Sequence, residues 1–192
     1  MARVTRTRLT RRLRLSPAGP WHAGDLWRLH YDEAVAAWYA GRYTVAMAQS
    51  RATAMAEGWD RDGTHRWMAC HRADGSLVGR GGVSRRYIAG AERYEVGWTV
   101  RPDLWGRGYA TEIGAAGLAF AFGDLGVEEV AAFTGCANRR SRAVMERLGL
   151  RYIRAFPLDG YPFVLYAITR AEHARPLPAP LIRCRGRRGG RG

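Results

Sequence analysis

The pattern of hydrophobic and polar positions changes period along the chain, and each change marks an element. Residues 9–15 alternate loosely and predict a first strand, which Gly19 and Pro20 end. Residues 22–41 carry Leu26, Leu29 and Val35 at helical spacing, with Gly41 as a stop. Residues 44–57 predict a second helix with Thr44 as its N-cap. Residues 65–71 and 77–83 predict the arms of a hairpin that turns at Ala73, Asp74, Gly75 and Ser76. A strand follows over 93–100, a helix of small residues near 108–122, a strand over 127–134 and a helix over 141–148 closed by Gly149. Residues 151–156 and 162–169 predict two last strands.

Helices and hairpins interleave in this order, and only residues 94–134 read as strand–helix–strand. The class is therefore α/β of the α+β type, with a mixed central sheet and not a doubly wound one. The 192 residues suit one domain, placed at 9–172. It lies between a basic arm, 1–8, and a Pro-, Gly- and Arg-rich tail, 173–192, expected to be disordered.

Charge sharpens that division. The net charge is +14 and no lysine is present. Six arginines fall in the first fifteen residues and six in the last eighteen, with no acid at either end. Setting those twelve aside reduces the 31 basic residues to 19, against 17 acids, so the central part is nearly neutral. Basic ends can make weak electrostatic contact with RNA or ribosomes, or can simply be solvated tails. Cys70, Cys136 and Cys184 form no metal-like spacing, so no metal is expected, and a reducing, cytoplasmic setting is. The longest small or apolar run, 113–122, is too short to cross a bilayer, and Arg11-Arg12 lacks the apolar stretch of an export signal. Nothing in the sequence sets the oligomeric state.

Candidate chemistry concentrates in VRPDLWGRGYATE, residues 100–112. A strand that turns through Gly106 and Gly108 into a helix presents unpaired N–H groups at a positive dipole end, which suits a phosphate. Arg107 can add a charge-assisted contact and Thr111 a hydroxyl. Gly114, Ala115, Gly117 and Ala121 are small enough for close packing on a sheet. A dinucleotide-binding turn fits poorly, because Thr111 stands where a third Gly or Ala belongs and the next strand has its acids at its start, Glu128 and Glu129. A Walker loop is absent. A tight turn that binds nothing is the remaining alternative for the glycines alone.

WGRGYATE, together with YEVGWTV before it and ANRRSRAVMERLGLRYI after it, resembles the GNAT superfamily of N-acetyltransferases, in its RimJ/RimL-like branch. In the family's Gln/Arg-x-x-Gly-x-Gly/Ala pattern, Gly108 and Ala110 take the fourth and sixth places, and Trp105 departs from the first. The resemblance follows the order of elements over about residues 9–170 and is specific at 94–112 and 138–150. It implies acetyl-CoA in a cleft between two splayed parallel strands. Pantetheine would pair with the main chain of Trp98, Thr99 and Val100. The pyrophosphate would sit on Trp105, Gly106, Arg107, Gly108, Tyr109 and Ala110, with Thr111 nearby. Asn138 would bond the pantetheine or order the cleft, and Ser141 would lie near the thiol or be an ordinary helix-start residue.

The same resemblance places Glu95 beside the acetyl group, where it is a candidate general base or simply a partner for an arginine. A main-chain N–H near Val100 would stabilise the oxyanion. Met145 stands where many relatives have an acid tyrosine, which leaves thiolate protonation to Ser141, another residue or solvent. The acceptor would be an amine; the resemblance makes a protein N-terminal α-amine, on a ribosomal protein among others, the leading class, and a pKa near 8 frees such an amine more readily than lysine. An antibiotic or small-molecule amine and a non-catalytic module docking on RNA are the alternatives. Trp38, Tyr39, Tyr43 and Trp59, with Asp60 and Asp62, are candidates to hold a cationic amine, or are core.

Overall fold

The structure is a computed structural model and describes residues 6–175. Strands β1 (Arg8–Leu9), β2 (Leu13–Pro17), β3 (Arg66–His71), β4 (Leu77–Ile88), β5 (Ala91–Val100), β6 (Glu129–Gly135), β7 (Arg151–Leu158) and β8 (Tyr161–Thr169) form one sheet, ordered β1-β2-β3-β4-β5-β6-β8-β7. Every neighbouring pair is antiparallel except β5 and β6. The helices are α1 (Ala23–Tyr31), α2 (Glu33–Ala36), α3 (Val45–Asp62), α4 (Tyr109–Gly123), α5 (Arg139–Arg147) and α6 (Arg170–His173). This is the mixed sheet that the pattern predicts. The disordered tail expected over 173–192 lies almost wholly outside the described residues.

Three local differences have physical causes. The first strand is a two-stranded turn, because the Thr10 main-chain N–H donates to the Leu13 carbonyl at 2.9 Å and the Thr10 hydroxyl accepts from Leu13 N–H at 3.0 Å. The helix predicted over 22–41 breaks at Asp32, whose carboxylate caps a new turn by accepting from Ala34 N–H at 2.9 Å. The strand predicted over 77–83 runs on to Ile88 and pairs along the whole of β5. The chain reverses there through Ala89 and Gly90, both at positive φ (53° and 89°), as a two-residue hairpin turn demands.

Two layers of helix cover the sheet. Helix α4 lies on β4 and β5, close enough that a Cβ on Gly117 would come within 2.9 Å of the Val96 side chain. Gly114 is buried against Trp98 and Leu148, and Ala121 is buried too, whereas Ala115 faces solvent, contrary to expectation. That face holds Val83, Val96, Leu118 and Val130, and beside them Trp59, Trp67 and Phe120. On the opposite face Met68 packs against Leu26, Ala48, Ala52 and Met55 of α1 and α3. Residues directly opposite in an antiparallel pair share a face, so Met68, Arg80 and Thr99 all point toward α1–α3.

Candidate functional site

Strands β5 and β6 pair at a single register position, Glu95 with Ala131. Both continue, to Val100 and Gly135, with no further pairing between them. The gap that opens is the cleft. Arg101 N–H donates to the Val78 carbonyl at 2.9 Å, so by alternation Trp98 and Val100 turn their N–H and C=O away from β4 and into the gap. Trp98 buries much of its ring against α4 and α5, leaving its main chain as the edge. The Thr99 side chain lies on the opposite face, its hydroxyl 2.5 Å from the Tyr39 hydroxyl.

At the end of β5 a single 3-10 turn (Pro102–Leu104) leads to the glycine bend. Gly106 and Gly108 have φ of 77° and 79°, and a Cβ on Gly106 would meet nothing within 4 Å. Glycine is therefore required here by the backbone angle and not by crowding. The first bond of α4 runs from Glu112 N–H to the Gly108 carbonyl at 3.0 Å. The N–H groups of Gly108, Tyr109, Ala110 and Thr111 have no acceptor among the described residues. These open N–H groups at a helix N-terminus fit a diphosphate.

The bend is braced from outside. Arg12 donates to the Arg107 carbonyl at 3.0 Å and pairs with Glu112 at 2.7 Å. Thr10 donates to the same carboxylate at 2.6 Å. Burial raises the Glu112 pKa, but the bonds from Thr10 and Arg12 outweigh it and hold the carboxyl below its ordinary value. Trp105 sends its indole N–H back to the Val100 carbonyl at 2.7 Å, and Arg140 of α5 lies over its ring at 4.8 Å. The tryptophan that departs from the family pattern thus ties the bend to the strand end. It also occupies one of the polar groups expected to face pantetheine. Tyr109 bonds His71 at 2.9 Å, and Thr111 accepts from Arg147 at 3.4 Å.

Asn138 caps α5 by accepting from Ser141 N–H at 3.0 Å, and its amide N–H groups have no acceptor among the described residues. Ser141 is half-buried in the first turn of that helix. Met145 lies in the core and offers no proton. Glu95 is 4% exposed and its carboxylate is engaged by Arg66, itself buried. Of the two roles considered for Glu95, partnership with an arginine is the one displayed; acting as a base would require opening that buried ion pair.

Of the residues considered for holding a cationic amine, Tyr39 and Tyr43 lie together, their rings 6.5 Å apart, whereas Trp59, Asp60 and Asp62 are engaged elsewhere. Trp59 is buried with its indole N–H on the Arg66 carbonyl at 3.0 Å. Asp60 pairs with Arg6 at 2.9 Å, and Asp62 with Arg61 at 2.8 Å and Arg85 at 3.8 Å. Tyr39 and Tyr43 instead meet three residues that the sequence did not place with an acceptor, His30, Arg80 and Thr99. The Arg80 Nε donates to His30 Nε2 at 2.9 Å, and the His30 ring stacks on Tyr43 at 4.1 Å. Burial, with Arg80 and Arg51 adding repulsion, pushes the His30 pKa down to about 2. The available signal was an arginine flanked by glycines, Gly79-Arg80-Gly81-Gly82, inside a strand, where charge must find a partner. At the far end of β5 a hollow of about 390 Å³ lies among Arg85, Glu92, Arg93 and Glu129. Its charges pair off, Arg85 with Glu92 at 2.8 Å and Arg93 with Glu129 at 2.7 Å.

Among the described residues no cluster of His, Cys, Asp or Glu is placed to hold a metal ion, and no helix is long and apolar enough to cross a membrane. Residues 12–151 match the acetyltransferase (GNAT) domain family. The chain is 37% identical over 102 residues to the FsC-acetyl coenzyme A-N(2)-transacetylase of Aspergillus fumigatus, a match covering 49% of this chain and 43% of that protein. The matched segment thus spans less than half of that relative's length. Mycobacterium smegmatis RimJ in complex with CoA-disulfide superposes with a TM-score of 0.68 at 22% identity, covering 85% of this chain and 84% of that one. A ribosomal-protein-S5-alanine acetyltransferase from Vibrio fischeri superposes with a TM-score of 0.72 at 12% identity, covering 88% and 99%. With a splayed β5–β6 pair, an open glycine bend and a family match over most of its length, the chain belongs to the GNAT acetyltransferases.

Proposed function

We propose that this protein transfers the acetyl group of acetyl-CoA to a primary amine, and that the amine is a protein N-terminal α-amine. The observation that carries the reading is the unpaired run of N–H groups over residues 108–111, at the mouth of a gap that a single strand pair opens. Acetyl-CoA supplies an activated acyl carbon. The chain binds and orients it: Trp98 and the Val100 N–H offer a strand edge to pantetheine, and the bend from Trp105 to Thr111 takes the diphosphate. The Asn138 amide would bond the pantetheine and the Ser141 hydroxyl would lie near the thiol, both carried at the start of α5.

A main-chain N–H on the parted edge near Val100 that pantetheine does not take is the donor for negative charge developing on the acyl oxygen. With Glu95 held by Arg66, the acceptor reaches its neutral form through its own pKa, which favours an α-amine over a lysine at neutral pH. Ser141 or solvent returns the proton to the leaving thiolate. The N-terminal acceptor is further supported by the fold shared with an acetyltransferase whose name specifies a ribosomal-protein alanine.

Calorimetry with acetyl-CoA, followed by thiol release with a panel of peptides and amines, tests both parts. Absence of acetyl-CoA binding, or equal binding by Gly108→Val, overturns the cofactor assignment. Acetylation of small amines with no peptide turnover overturns the acceptor assignment.

A further inference from the structure

Arg80 is a buried cation without a carboxylate partner. It is 9% exposed, and among the described residues no acid pairs with it. Its Nε is spent on His30 Nε2 at 2.9 Å. One terminal nitrogen, Nη2, reaches the Tyr39 hydroxyl at a weak 3.5 Å. The other, Nη1, has no partner among the described residues, yet it is not sealed from solvent. An arginine taken out of water normally meets an acid. Here the neighbour is an imidazole kept neutral, which accepts one bond and returns no charge.

The surroundings deepen the deficit. The strand register puts Arg66, Arg80 and Arg86 on one face of the sheet, and His65 is pushed down to about 3 by burial first and then by these arginines and Arg61. The buried acid of that face, Glu95, is consumed by Arg66. Arg80 also lies beside the parted length of β5, where the acetyltransferase reading brings the acceptor. It is opposite Thr99 in the β4–β5 pairing, and Thr99 sits on the length of β5 that has parted from β6. Tyr39 touches both residues, so His30, Arg80, Tyr39 and Thr99 make one polar wall beside the cleft.

Resting on the acetyltransferase reading above, we propose that Arg80 receives a carboxylate carried by the acceptor, so that this enzyme selects primary amines with an acid group close to the amine. The fork of a guanidinium matches a carboxylate, and a rigid arginine gives direction as well as charge. Two sources offer the same chemistry: the acidic side chain of a peptide's first residues, or the carboxylate of a free amino acid.

Matched pairs separate them. Peptides beginning with aspartate or glutamate are compared with those beginning with asparagine or glutamine, and free amino acids with their amides, by kcat/KM. The expected result is a preference of about 100-fold for the carboxylate member in one arm, the arm naming the source. Arg80→Gln is expected to erase that preference while acetyl-CoA affinity, read by calorimetry, stays within a few-fold. Arg80→Lys, which keeps charge and loses the fork, is expected to fall between. Equal rates for acid and amide in both arms of the unaltered enzyme, a test that needs no variant, overturn the proposal. So does a preference that survives in Arg80→Gln, or a panel wholly unacetylated while acetyl-CoA still binds. Failure to bind acetyl-CoA would instead sink the reading on which it rests.

Discussion

The two sides of β5 are built by opposite means. On the side proposed for the cofactor the groups on offer belong to the main chain: N–H groups of a bend, and the edge of a strand that has lost its neighbour. On the side proposed for the acceptor they are side chains, drawn from α1, the loop after α2, β4 and β5, all but Tyr39 buried, with unbalanced charge. The first needs glycine angles and little else. The second needs tertiary packing to hold charge out of water. Substitutions should therefore affect ligand binding on one side and stability or selectivity on the other.

The hardest break falls on buried charge. Glu95→Gln leaves Arg66 without its counter-ion, and a loss of about 3–5 kcal/mol in unfolding free energy is expected from urea titration. A loss below about 1 kcal/mol would mean that the pair is not what holds this face. Gly108→Val does the reverse, because a β-branched residue at φ 79° is strained and its side chain sits in the bend. Acetyl-CoA affinity should drop about 100-fold, or about 2.7 kcal/mol, by calorimetry.

A third test uses pH. His30 and His65 have folded pKa values of about 2 and about 3, below their ordinary 6.5. The unfolded chain therefore takes up protons that the folded chain refuses. Stability is fully present above pH 6.5 and falls as pH drops from there toward 3. Between pH 7.5 and 5.5 the loss should be about 1.4 kcal/mol per histidine. His30→Gln should remove about half of that slope. The smallest expected effect is that of Trp105→Phe, which deletes the bond to the Val100 carbonyl. It should weaken acetyl-CoA binding about threefold to tenfold, or about 0.5–1.5 kcal/mol.

The same contrast explains what could be read before folding. The bend was legible because φ above zero demands glycine and a helix start demands spacing, both local facts. Thr44 was legible as a cap for the same reason, and its hydroxyl accepts from Met47 N–H at 3.1 Å. The break at Asp32 was not, because an acid inside an apolar pattern reads equally well as a solvent-facing helix residue. Arg80 and His30 stand fifty positions apart, and nothing local to either announces the other. Trp105 looked like a lapse from a pattern until its indole was placed on Val100. Glu95 carried two readings from sequence, and only the third dimension supplied Arg66.

In the proposed reaction strand β5 offers its edge to one substrate and its face to the other. A slip of one residue against β4 would exchange the two roles, turning the Thr99 main chain into the gap and the Trp98 ring toward α1 and α3. Ten consecutive pairings, closed by the tight reversal at Ala89 and Gly90, stand against that slip. The long hairpin is thus a ruler: in the proposed reaction it sets where the amine arrives relative to the acyl carbon, although its far end lies well away from both.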